Sequence, residues 1–91
     1  MRDKKFLISS IKMDLHRVVA AAGDISKELP MESVIEFLKH ANADFEKLDL
    51  TEREKTLQQE LQHLQNQLPQ VKDPFLRLRW TEKVMTVRCR L

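Results

Sequence analysis

A chain of 91 residues, 33% of them charged and with a net charge of +2, has room for one domain and a modest core, burying about 60–65% of the surface its unfolded form exposes. Its 42% apolar content is too high for a disordered segment, and four Phe, one Trp and no Tyr are few aromatics for a β-rich domain. The longest apolar run, Val18 to Ala22, is far shorter than a membrane span, and Phe6 to Ile8 behind Arg2, Lys4 and Lys5 is too short for the core of a secretory signal.

Cys89 is the single cysteine, so no intrachain disulfide forms, and the reducing cytoplasm is the expected compartment. Charge is unevenly placed. Residues 1–23 carry five basic and two acidic groups, residues 24–60 five basic and ten acidic, and residues 61–91 six basic and two acidic. Basic ends flank an acidic middle, a pattern that favours packing of the segments on one another or self-association.

Helix breakers are confined to Gly23, Pro30, Pro69 and Pro74, and they punctuate the chain into helical segments. The first helix is expected at about 5–22. Leu7, Ile11, Leu15, Val18, Val19 and Ala22 form its apolar stripe, with Asp14 and Arg17 mostly off it, and Gly23 is expected as a left-handed C-terminal cap. A connector at 24–29 leads to Pro30, suited to the first position of a helix expected at 31–48. Val34, Phe37, Leu38, Ala41, Phe45 and Leu48 make its buried stripe.

Thr51 followed by Glu54 matches a capping box and favours a turn at 48–51. The alternative, one continuous helix from Met31 to Leu68, would be roughly 57 Å long. The third helix is expected at 52–67, where Leu50, Leu57, Leu61, Leu64 and Leu68 recur at steps of seven, four, three and four, the spacing of a coiled-coil seam beside a glutamine-rich flank. Pro69 ends it. Asp73 and Pro74 form an N-cap and first-position pair that opens a fourth helix at about 75–90. Leu76, Trp80, Val84, Val87 and Leu91 form one stripe of that helix, and Leu78, Met85 and Cys89 a second. A β-hairpin over the same residues would turn through Thr81, Glu82 and Lys83, which offer no residue suited to positive φ.

The expected fold is all-α: a small four-helix up-and-down bundle or helical hairpin array. Its middle is an antiparallel, coiled-coil-like pair of the second and third helices, with the first and fourth packed on that pair.

No catalytic constellation emerges. A single Glu-x-x-His pair, Glu60 and His63, falls short of the two needed for a di-metal bundle, and Glu36 with His40 is one turn apart without a further partner. Cys89 has no neighbouring ligand for zinc, and a chain with one glycine builds no phosphate-cradling loop. No catalytic residue, metal, cofactor or small-molecule substrate is therefore expected. The expected role is non-catalytic protein–protein interaction as an adaptor, assembly or regulatory subunit, self-associating as a homodimer through Leu57, Leu61, Leu64, Leu68, Leu78 and Met85. The alternative is nucleic-acid binding through the basic fourth helix, with Arg77, Arg79, Lys83, Arg88 and Arg90 against phosphates.

Overall fold

The computed structural model of the chain describes residues 3–91; Met1 and Arg2, the latter one of the basic residues ahead of Phe6, lie outside them. Among the described residues the backbone forms four α-helices and no strand: α1 (Lys4–Gly23), α2 (Met31–Glu46), α3 (Glu52–Gln67) and α4 (Pro74–Arg90). A 3-10 turn at Leu68–Gln70 carries Pro69 and links α3 to α4. The hairpin alternative and the continuous 31–68 helix are both excluded.

Helix starts follow local chemistry. The Asp3 carboxylate accepts from the Phe6 N–H at 2.8 Å and caps α1. Thr51 and Glu54 form the reciprocal capping box of α3. Asp73 accepts from the Leu76 N–H at 2.7 Å, with Pro74 in the first turn of α4. Each pairing satisfies amide groups that the helix itself leaves without acceptors. Two expected boundaries move. α2 closes at Glu46, leaving Leu48 in the following turn, and Pro30 stands just outside α2 as its N-cap.

Cross-helix contacts run in opposite directions between α1 and its two neighbours, α2 and α4. Ser10, Asp14 and Arg17 meet Asp44, His40 and Phe37, so α1 and α2 are antiparallel. Asn42 donates from Nδ2 to Gln65 Oε1 between α2 and α3, one use of the glutamine flank. The Trp80 indole N–H donates to the Leu64 carbonyl at 2.8 Å, tying α4 to α3. Arg77 and Arg88 reach opposite ends of α1, which makes α4 antiparallel to it. The result is an up-down-up-down bundle. Its broadest packing is α1 against α2 and α4, so α1, and not the α2–α3 pair, is the hub of the fold.

The core draws on all four helices. Ile11, Leu15, Val18, Val34, Leu38, Phe45, Leu61, Leu68 and Val84 are fully buried. Removing each such side chain from water contributes about 1.5–3 kcal/mol. Leu57 and Leu64 are buried with them, so the leucine seam is spent inside one chain. Val19 and Phe37 are only half-buried, and Leu76 leaves its expected stripe for solvent.

The end of α1 departs most from expectation. Gly23 is the last helical residue and has no positive φ, so it is not a left-handed cap. The unpaired carbonyls there are taken up by Arg77 of α4. Its Nε donates to the Ala22 carbonyl at 2.7 Å, Nη1 to the Lys27 carbonyl at 2.7 Å, and Nη2 to the Asp24 and Ala21 carbonyls at 2.8 and 3.3 Å. α1 has no basic residue in its last turn, and the buried guanidinium supplies the positive charge that a helix C-terminus favours.

Replacing Arg77 by Met keeps the bulk and strands these carbonyls. Urea denaturation should show a loss of about 2–4 kcal/mol. Arg77→Lys should recover only part of it, because one ammonium cannot reproduce the fan of guanidinium donors.

Candidate functional site

Two regions carry polar or apolar groups that core packing does not explain. The first lies where α1 and α2 cross. Asp14 and Asp44 are only 3% and 2% exposed, yet neither has a buried cation beside it. Asp14 falls three residues after Ile11 and four before Val18, which puts it on the buried side of α1. Asp44 sits three after Ala41 on the buried side of α2.

The two oxygens of each carboxylate face different partners. Asp14 Oδ1 faces Arg17 at 3.5 Å and Asp44 Oδ1 faces Lys47 at 3.6 Å. The two Oδ2 atoms both face one imidazole nitrogen. His40 Nδ1 lies 2.5 Å from Asp14 Oδ2 and 3.7 Å from Asp44 Oδ2. Ser10 donates its hydroxyl to Asp44 Oδ2 at 2.9 Å. The His40 side chain is 60% exposed, so the cluster opens to solvent along its ring.

The hydrogen bond to Asp14, and then the charge of that carboxylate, raise the His40 pKa above the ordinary 6.5. Asp44 pushes in the same direction, while desolvation and Lys47 oppose it. Asp14, His40 and Asp44 are also the residues able to hold a metal ion among those described, their donor atoms all lying within 4.8 Å of one another.

The second region is the surface of α4. Phe75, Leu78, Glu82, Met85 and Cys89 recur at steps of three, four, three and four along its outer face. Phe75 is 66% exposed, Leu78 39% and Met85 45%. On the other flank, Lys83 and Arg90 line a groove against α3 with Glu60, His63, Gln67 and Thr86. Arg79 extends it toward Leu76, Trp80 and Gln70, and the Arg79 guanidinium lies 5.8 Å from the Phe75 ring centroid.

The predicted interface residues therefore separate. Leu57, Leu61, Leu64 and Leu68 are core, unavailable to a partner because α2 and α4 pack on α3 and the four leucines are already buried. Leu78 and Met85 stay on the surface together. The predicted basic residues separate as well. Arg77 is removed from any nucleic-acid surface because it is buried and its donors are engaged at the end of α1. Arg88 turns toward α1 and donates from Nε to the Lys12 carbonyl at 3.2 Å. Arg79, Lys83 and Arg90 share the α3 side of the helix.

Sequence reasoning missed the α1–α2 cluster. The signal was present: Ser10 and Asp14 are one turn apart, His40 and Asp44 are one turn apart, and each aspartate falls in phase with the apolar stripe of its own helix. Comparison with models of known protein families, with curated proteins and with solved structures finds no match.

The pairing of His40 has a measurable sign. In chelator-treated protein, Asp14→Asn should bring the His40 titration, followed by NMR, back toward 6.5. Because the folded value is raised, the stability from this pair is fully present below the ordinary value and is lost as pH rises through the raised one. A His40→Ala protein should lack that decline in urea stability over the same window.

Proposed function

We propose that this chain is a non-catalytic interaction protein that self-associates through the outer face of α4. The observation that carries the reading is the exposed row of Phe75, Leu78 and Met85 on a helix whose opposite face is already buried. A seven-residue repeat of apolar positions is the pattern by which helices pair. The row is self-complementary when two copies of α4 run antiparallel about Glu82. Leu78 of one copy then lies near Met85 of the other and Phe75 near Cys89, with the two Glu82 side chains meeting on the axis. A row that matches its own antiparallel copy favours a second copy of the chain over an unrelated apolar partner. The single thiol suits a reducing, cytoplasmic setting, and no helix among the described residues is long and apolar enough to cross a membrane.

Leu78→Glu combined with Met85→Glu tests the face directly. Both side chains are exposed, so the fold should persist by circular dichroism, with stability changing by only about 0.5 kcal/mol per site. Sedimentation at tens of micromolar should show a dimer for the natural chain and a monomer for the variant. A natural chain that is monomeric throughout that range overturns the reading.

A second reading rests on a separate observation. Arg79, Lys83 and Arg90 line one groove, and among the described residues none of them has an acidic side chain within ion-pair distance. Unpaired cations along one helix face suit a nucleic-acid backbone. If they serve one, changing all three to Ala should weaken binding across sequences alike, and the slope of log affinity against log salt should become shallower by about 0.9 for each phosphate no longer neutralised.

A further inference from the structure

We propose that Asp14, His40 and Asp44 bind a divalent ion of the zinc type across the α1–α2 crossing. Hydrogen-bond donors and acceptors are mismatched there. Two almost fully buried carboxylates aim their Oδ2 atoms at a single nitrogen, and that nitrogen has only one proton to give. Asp14 receives it at 2.5 Å; Asp44, at 3.7 Å, is beyond hydrogen-bonding range of the same atom. Among the described residues the Oδ2 of Asp44 has a direct donor only in the Ser10 hydroxyl. A metal ion in place of the proton serves all three donors at once.

The three donor atoms lie within 4.8 Å of one another, a spread that small side-chain movements can gather around one ion. A tetrahedral zinc with bonds of about 2.0–2.2 Å holds neighbouring donors roughly 3.4 Å apart. The short His40–Asp14 approach must open by less than an ångström and the His40–Asp44 separation must close slightly. The imidazole makes both adjustments by rotating, because it is the exposed member of the three. His40 and Asp44, one turn apart on α2, supply two ligands from a rigid backbone, and Asp14 supplies the third from α1. Water from the open side completes the shell.

The surroundings already resemble the outer shell of a metal site. Ser10 fixes the orientation of Asp44, while Arg17 and Lys47 occupy the Oδ1 atoms and leave the Oδ2 atoms turned to His40. The donor set selects the ion. One imidazole and two carboxylates suit Zn²⁺, Co²⁺ or Mn²⁺, whereas Mg²⁺ and Ca²⁺ favour all-oxygen shells. Because the ligands come from two helices, a bound ion joins α1 to α2 and stabilises the folded chain by mass action.

Chelator-treated protein titrated with Zn²⁺ in a calorimeter is the direct test. The expected result is one ion per chain, a rise in melting temperature, and d–d absorption when Co²⁺ is used instead. His40→Ala and the isosteric Asp14→Asn should each weaken Zn²⁺ by about tenfold or more, by analogy with the effect of removing supports from other metal sites. His16→Ala and His63→Ala, at exposed positions elsewhere, should leave it unchanged, and circular dichroism should show all four variants helical. Absence of saturable one-to-one binding, or equal binding by the natural chain and His40→Ala, overturns the proposal. The second outcome would place the ion at an unrelated surface site.

Discussion

The structure depends on one guanidinium. Arg77 sits where α1 ends, and its nitrogens gather carbonyls from Ala21, Ala22, Asp24 and Lys27. A helix ends with carbonyls that lack partners, and those that a neighbouring helix covers must be satisfied within the protein or the end frays. α1 supplies neither a left-handed glycine nor a basic residue of its own for the purpose. The fourth helix therefore does two things with one residue. It closes α1, and it sets its own register on α1, since moving by a turn would carry Arg77 past its acceptors. The groups at the α1–α2 crossing keep their places because α1, the hub of the bundle, is held at this end by α4 and along its length by the core.

Much of the architecture was legible because its signals are short-range. Thr51 with Glu54, and Asp73 with Pro74, act within three residues, and the helices open where those pairs stand. Pro69 works locally too, by turning the chain into a 3-10 step. Apolar periodicity located the core in each helix. What escaped was long-range or polar. The partners of Arg77 lie some fifty residues earlier in the chain, and a basic residue among five others reads as surface charge until its burial is seen. Asp14 and Asp44 share the phase of the apolar stripe, but a stripe read from apolar residues alone passes over a carboxylate within it. The leucine seam was located correctly as a packing surface. Whether such a surface meets its own chain or a second one depends on where α2 and α4 come to rest against α3, which periodicity does not report.

α4 divides its circumference among three tasks. Trp80, Val84 and Val87 face the core, with Arg77 alongside. Phe75, Leu78 and Met85 lie outward, and Arg79, Lys83 and Arg90 line the groove beside α3. Such crowding accounts for the two apolar stripes that made this segment the hardest to read. Packing in a small bundle needs one apolar face, and Leu78, Met85 and Cys89 of the second stripe are exposed among the described residues.

The reach of Arg77 also bears on the order of events in a growing polypeptide. While the chain is being synthesised, α1 and α2 can meet as soon as both exist, but the far end of α1 stays unclosed until α4 has been made. Until then the last turn of α1, which ends at Gly23, lacks the donors that close it and is free to fray. Docking of α4 desolvates one arginine and supplies those donors.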